Sequence, residues 1–128
     1  MVHTPAILIA DDDDVVVQTL AQWFETRGFN VDVARDGLEA VAKCQERIYD
    51  VVTMDIEMPR LGGIEAIRLL KEFSPATPVI ALTGYASDPD LPKHCRADKI
   101  CAKPIALSAL EREVRVLLRP GTASKDAE

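Results

Sequence analysis

Apolar residues in this chain fall into short runs, and each run ends at a polar or charged side chain. Such runs occupy residues 7–10, 51–54 and 79–82, and a shorter one occupies residues 100–102. Apolar runs without alternation are typical of strands covered on both faces, as in a parallel sheet between helices. Residues 30–34 alternate between apolar and polar positions, which also predicts a strand.

Helical spacing of apolar residues separates the predicted strands. The first helix is predicted to begin at Asp13 or Asp14 and to end before Gly28. The last is predicted to begin near Ser108. The residues predicted to face the core are Val17, Leu20, Ala21 and Phe24 in helix one, Leu38, Val41, Ala42 and Gln45 in helix two, Ile64, Ile67, Leu69 and Leu70 in helix three, and Leu107, Leu110, Val114 and Leu117 in helix five. Alternating strands and helices predict an α/β domain.

The fourth helix is expected to differ from the others. Pro89 and Pro92 lie between the fourth and fifth predicted strands, within a polar stretch. Proline removes a backbone donor and clashes with the preceding turn, so Pro92 is tolerated at the start of a helix but not inside one. We therefore predict a fourth helix of about one turn, or a loop in its place.

Length and composition predict one globular domain over residues 1–120 and a small polar tail over residues 121–128. The net charge of −6 argues against direct nucleic-acid binding, which usually needs a basic face. No apolar stretch approaches the ~20 residues of a membrane span, and we expect no membrane insertion. Because Cys44, Cys95 and Cys101 form no CxxC pair, we interpret them as reduced thiols of a cytoplasmic protein.

Reactive side chains stand where the predicted strands end. Asp11 and Asp12 follow the first strand, Asp55 the third, Thr83 the fourth and Lys103 the fifth. Parallel strands end along one edge of their sheet, so these groups are expected to converge there. Clustered carboxylates repel one another and need a cation, and oxygen ligands select Mg²⁺ or Mn²⁺ over Zn²⁺. The pattern indicates a divalent cation beside a transferable phosphoryl group.

The same segments resemble the response-regulator receiver domains of two-component signalling. The matching segments are ILIADDD at 7–13, MDIEMP at 54–59, ALTGYA at 81–86 and AKPI at 102–105, in the family's order. The resemblance covers about residues 6–118 and implies a doubly wound five-stranded parallel sheet of order 2-1-3-4-5, the flavodoxin-like fold. It implies a phosphoacceptor that takes its phosphoryl group from a histidine kinase or a histidine phosphotransfer protein. The segments ALTGYA and AKPI are more similar to the receivers of hybrid histidine kinases, or of relays, than to the receivers of transcription factors.

The resemblance also implies roles for the metal site. Asp12 and Asp55 would bind the metal directly together with the backbone carbonyl of Glu57, and Asp11 would act mostly through water. Mg²⁺ is the expected ion, with Mn²⁺ as the alternative.

Three residues would carry the phosphoryl chemistry. Asp55 would accept the phosphoryl group as an aspartyl phosphate, Lys103 would place its ammonium against the phosphoryl oxygens, and Thr83 would donate its hydroxyl to another of them. Pro104 is expected to be cis, as in the family.

Two alternatives belong to other functional classes. A phosphohydrolase with an aspartyl intermediate would need an acid–base Asp two residues after the nucleophile, where this chain has Glu57. A purely structural interaction domain would not need the complete set of acidic, hydroxyl and lysine groups.

The chain departs from the family at one position that affects how phosphorylation is passed on to a partner. Ile100 replaces the aromatic residue that receivers commonly carry three positions before the lysine.

Overall fold

The protein folds as five strands that alternate with five helices along the chain. The computed structural model describes residues 3–118, so the predicted domain end at 120 and tail at 121–128 lie outside the described residues. The elements are β1 (Ala6–Ala10), α1 (Asp14–Thr26), β2 (Asn30–Ala34), α2 (Gly37–Glu46), β3 (Val51–Asp55), α3 (Gly63–Phe73), β4 (Val79–Thr83), α4 (Leu91–His94), β5 (Lys99–Ala102) and α5 (Leu107–Leu117).

All strand pairs are parallel, and the sheet order is β2-β1-β3-β4-β5. This confirms the predicted doubly wound sheet. Every residue of β1, β3 and β4 is buried, which explains why these strands are apolar at successive positions instead of alternating. β2 and β5 lie at the edges and carry exposed residues.

Two apolar cores lie on opposite faces of the sheet, since neighbouring strand residues point to opposite sides. Leu8 belongs to one core and Ile9 to the other. The first core includes buried residues of α2 and α3, and the second includes Leu20 and Phe24 of α1 with Leu110 and Val114 of α5. The helices therefore cover both faces of the sheet, leaving its edges for loops.

Helix α1 begins and ends where the sequence predicted. Asp13 is the N-cap, and its side chain accepts hydrogen bonds from the backbone N–H groups of Val15 and Val16. Gly28 stands just beyond the helix with φ +92°, a conformation that favours glycine.

One expectation for the helices was wrong in detail. In α2 the predicted face is shifted, because Leu38 is 46% exposed whereas Ala40 and Cys44 are buried. Gly37 lies on this buried face and packs so closely on the carbonyl of Leu61 that an added Cβ would lie 2.1 Å from the oxygen. Helix α5 begins at Leu107, next to Ser108 as predicted, and its N-cap residue Ala106 makes no side-chain hydrogen bond.

Helix α4 is short, as predicted. It comprises four residues, and Pro92 lies in its first turn. The backbone N–H groups of a first turn have no partner within the helix, so the missing N–H of proline costs no hydrogen bond there. Leu91 alone of its residues is buried. Within residues 3–118, no helix is both long enough and apolar enough to cross a membrane.

Candidate functional site

Five polar side chains meet at the carboxyl edge of the central strands. Asp55 and Thr83 are the last residues of β3 and β4, Asp11 and Asp12 follow β1, and Lys103 follows β5. The crossovers reverse direction between β1 and β3, and a crevice at such a reversal is where α/β sheets bind ligands. The structure thus brings together the side chains of Asp11, Asp12, Asp55 and Lys103, and it places Thr83 at the end of the neighbouring strand.

The loop after β3 closes back onto its own strand. The backbone N–H of Gly63 donates to the carbonyl of Ile56 at 2.9 Å, and an added Cβ at Gly63 would lie 2.3 Å from the carbonyl oxygen of Asp55. Arg60 has φ 68° in this loop and pairs with Asp36, with 3.4 Å between Nε and Oδ2. These contacts hold Asp55 and the residues that follow it in one place.

The three aspartates form a compact acidic cluster. One carboxylate oxygen from each of Asp11, Asp12 and Asp55 lies within 4.8 Å of the others. Asp11 and Asp55 are buried, and Asp12 is exposed. Oδ1 of Asp11 accepts the backbone N–H of Asp13 at 2.9 Å, whereas its buried Oδ2 has no hydrogen-bond partner among the described residues.

This cluster fits a hard divalent cation. Buried carboxylate oxygens are normally hydrogen-bonded or bound to a metal, but Oδ2 of Asp11 has no hydrogen bond among the described residues and only the Lys103 ammonium, 4.0 Å away, as a counter-charge. The donors are all oxygen atoms, as Mg²⁺ prefers, and the exposed Asp12 leaves room for the water ligands that Mg²⁺ keeps. That the backbone carbonyl of Glu57 binds the metal remains a prediction.

Burial makes Asp55 an unusually basic carboxylate. Desolvation raises the pKa of Asp55 to about 6, and the charge of Asp11 acts in the same direction. The hydrogen bond and charge of Lys103, and the backbone N–H of Glu57, oppose this rise. Burial also raises the pKa of Asp11, against the lowering effect of the N–H of Asp13. The site therefore holds negative charge that the protein only partly compensates.

Lys103 supplies most of that compensation. Its Nζ lies 3.1 Å from Oδ1 of Asp55 and 4.0 Å from Oδ2 of Asp11. Partial burial lowers the pKa of Lys103, but the hydrogen bond to Asp55 and the charges of Asp55, Asp11 and Glu57 outweigh it, so the pKa is raised overall. The Lys103–Pro104 peptide bond is cis, as expected.

Thr83 makes contacts that the sequence did not predict. Its hydroxyl donates to Oε2 of Glu57 at 2.6 Å, and its oxygen accepts the backbone N–H of Tyr85 at 3.0 Å. From the sequence, Glu57 was expected to contribute its backbone carbonyl to the metal site, and its side chain was weighed only as the acid–base group of a phosphohydrolase. The signal was present, since Glu57 lies two residues beyond Asp55 and β4, which ends at Thr83, pairs with β3.

An apolar groove of about 480 Å³ opens beside the acidic cluster. It lies between α1 and the segment that joins β5 to α5, and Asp11 and Lys103 form its inner end. Val15 is 73% exposed at its rim. Its apolar lining consists of Val15, Val16, Leu20, Leu82, Pro104, Ile105 and Leu107.

Comparisons with known proteins agree with this geometry. The sequence profile described as the response regulator receiver domain matches residues 7–115, and the chain belongs to that family. Transcription factor SKN7 of Candida albicans is 37% identical over 100 residues, covering 77% of this chain and 18% of that protein. Response regulator MprA of Mycobacterium avium is 34% identical over 124 residues, covering 95% of this chain and 54% of its own length.

A solved structure shows the same fold with ligands bound. The CheX–CheY–BeF3–Mg complex from Borrelia burgdorferi is similar with a TM-score of 0.81 and 33% identity, covering 88% of this chain and 87% of that one. The chain spans about half of MprA and under a fifth of SKN7, so it corresponds to the receiver portion of these longer proteins.

Proposed function

We propose that this receiver domain accepts a phosphoryl group on Asp55 from a phosphohistidine, in a two-component or phosphorelay pathway. The observation that carries the proposal is the position of the Asp55 carboxylate. It is buried at the end of β3, beside the other two aspartates of the acidic cluster and the ammonium of Lys103. Carboxylates act as nucleophiles in covalent mechanisms of this kind, and burial leaves the carboxylate of Asp55 poorly solvated.

In the transfer step, an oxygen of Asp55 forms a bond to phosphorus while the bond from phosphorus to the donor's imidazole nitrogen breaks. That nitrogen keeps the bonding electron pair, and the ring leaves as neutral imidazole because its other nitrogen carries a proton. Lys103, 3.1 Å from Oδ1 of Asp55, would neutralise a phosphoryl oxygen as charge builds on it. Thr83, at the end of the next strand, would donate its hydroxyl to another.

Asp12 and Asp55, with Asp11 through water and the Glu57 carbonyl, would hold Mg²⁺. When bound, this ion neutralises negative charge shared by the carboxylates and the phosphoryl oxygens. Mn²⁺ takes the same oxygen ligands and should replace it. Three buried free thiols among the described residues, Cys44, Cys95 and Cys101, support a cytoplasmic setting, and the acidic chain favours protein partners over nucleic acid.

Intact mass tests the acceptor. The protein is incubated with acetyl phosphate and Mg²⁺, and one phosphoryl adduct is expected, which should not form when a chelator is present from the start. Asp55→Asn should show no adduct, whereas Asp90→Asn, at an exposed carboxylate of the α4 region, should behave as the wild type. An adduct that persists in Asp55→Asn would mean that another residue is the acceptor.

A further inference from the structure

The hydroxyl of Thr83 is already engaged in this structure. It has one proton, and that proton is donated to Oε2 of Glu57 at 2.6 Å. The backbone N–H of Tyr85 donates to the same hydroxyl oxygen at 3.0 Å, so both the donor and the acceptor side of the hydroxyl have partners. The Thr83 side chain is buried, which leaves it little freedom to turn away.

Glu57 is well placed for this contact. Its backbone N–H donates to Oδ1 of Asp55 at 3.2 Å, and the preceding Ile56 N–H donates to the carbonyl of Leu82 at 2.9 Å. Both bonds tie the start of the loop to the ends of β3 and β4. The side chain of Glu57 therefore reaches Thr83 from a backbone that is fixed beside the acceptor carboxylate.

We infer that the Glu57 carboxylate is a latch that holds the Thr83 hydroxyl away from the phosphoryl group and must release it before the phosphorylated state forms. This inference rests on the proposed acceptor role of Asp55. A single hydroxyl proton serves either the carboxylate or a phosphoryl oxygen. A phosphoryl dianion on Asp55 would also repel Glu57, whose charge already acts on the neighbouring Lys103.

The latch sets a threshold for activation. Breaking a hydrogen bond between a hydroxyl and a partly solvated carboxylate opposes phosphoryl-group binding by about five- to tenfold. The Glu57–Thr83 latch thus favours the unphosphorylated arrangement, and its loss should make the activated arrangement easier to reach. Glu57 acts here as a positioning residue, because its side chain works through Thr83.

A double-mutant cycle tests the latch with beryllofluoride at saturating Mg²⁺, followed by NMR titration. Glu57→Ala should tighten beryllofluoride binding about five- to tenfold when Thr83 is present. In the Thr83→Val background, which lacks the hydroxyl, the gain should fall to about twofold, the part that comes from the charge of Glu57 alone. An equal gain in both backgrounds would show that Glu57 acts through its charge alone, and no gain in either would also overturn the latch.

A second cycle separates this inference from the proposed function. In metal-free protein without beryllofluoride, urea unfolding of the wild type, the two single variants and the double variant should show a coupling between Glu57 and Thr83, because their hydrogen bond exists before phosphorylation. Wild-type protein that binds no beryllofluoride would overturn the acceptor role of Asp55 and the latch with it. Wild-type protein that binds beryllofluoride but shows no coupling in either cycle would overturn the latch alone.

Discussion

Asp55 holds a negative charge where the fold solvates it poorly. Its side chain is buried beside Asp11, and the combined effect of burial and this neighbouring charge raises its pKa to about 6. The Lys103 ammonium, at 3.1 Å, offsets only part of this effect. The site is therefore built for charged ligands at some expense to the stability of the metal-free domain.

Replacing Asp55 by Asn should stabilise the metal-free protein at neutral pH. An acid whose pKa rises on folding, here from 3.8 to about 6, destabilises the fold increasingly as pH rises through 3.8, and the effect is complete above about 6. We expect Asp55→Asn to raise the free energy of unfolding by about 1–2 kcal/mol at pH 7.5 and by much less at pH 4. Urea unfolding measures both values.

The exposed Asp90→Asn variant is the control for this prediction, since its carboxylate lies away from the acidic cluster. It should leave the free energy of unfolding nearly unchanged at either pH. Saturating Mg²⁺ should remove the advantage of Asp55→Asn, because the cation stabilises only the carboxylate form. A variant less stable than the wild type at pH 7.5 without metal would contradict the electrostatic argument.

Lys103 and Thr83 should act on the phosphoryl group and not on the metal. Neither side chain is a carboxylate that could bind the metal: Lys103 carries an ammonium beside Asp55, and Thr83 a hydroxyl bound to Glu57. We expect Lys103→Ala and Thr83→Ala to keep the Mg²⁺ dissociation constant within about threefold of the wild type while impairing phosphorylation, since neither is an oxygen-anion ligand. Magnesium titration with intact-mass analysis checks both; a large loss of Mg²⁺ affinity in both variants would disprove the geometry.

Among the helices of residues 3–118, α4 is the shortest. Its four residues expose all but Leu91, and Ile100 on the neighbouring β5 packs against the same apolar core as Leu91. The aliphatic Ile100 offers no aromatic ring to turn inward when the site changes state. A surface built from α4, β5 and α5 is therefore expected to respond weakly to phosphorylation.

Solution NMR tests this expectation by comparing metal-free protein with a Mg²⁺–beryllofluoride form. Backbone shift changes should concentrate in the loops that follow β1, β3 and β4, which surround the acceptor Asp55, and in α1, which begins directly after the loop that carries Asp11 and Asp12. Changes concentrated at residues 87–118 and sparse near α1 and the active-site loops would refute the prediction.

At the scale of the whole molecule, the apolar groove beside α1 is where we expect a phosphotransfer partner to dock. A helix that carries the donor histidine could cover Val15 and Pro104 while its imidazole faces Asp55, since Asp11 and Lys103 form the inner end of the groove. Val15→Glu should slow transfer from a phosphorylated histidine phosphotransfer protein at least tenfold, by about 1.4 kcal/mol or more.

The control variant and the donor separate docking from chemistry. Ile48→Glu changes an equally exposed apolar residue between α2 and β3, away from this groove, and should leave transfer unchanged. Both variants should react normally with acetyl phosphate, which needs no docking surface. Equal loss with the small donor would show that Val15→Glu damaged the site itself.

The apolar runs at residues 7–10, 51–54 and 79–82 determined the central strands, and the residues that end them determined where the site lies. Such features are local: a run buried on both faces needs a helix on each side, and the ends of parallel strands share one edge. Pro92 likewise determined where α4 can begin, because a proline is tolerated in the first turn of a helix but not further inside it.

Only the tertiary structure decided which neighbours each side chain finds. Gly37 packs on Leu61 at the buried face of α2, and the pairing of β3 with β4 placed Glu57 on the hydroxyl of Thr83. Trp23 of α1 donates its indole N–H to Glu111 of α5, a contact across 88 positions of the chain. Spacing along a sequence reports which face a residue occupies, but hydrogen-bond partners depend on distances of a few tenths of an ångström that packing alone sets.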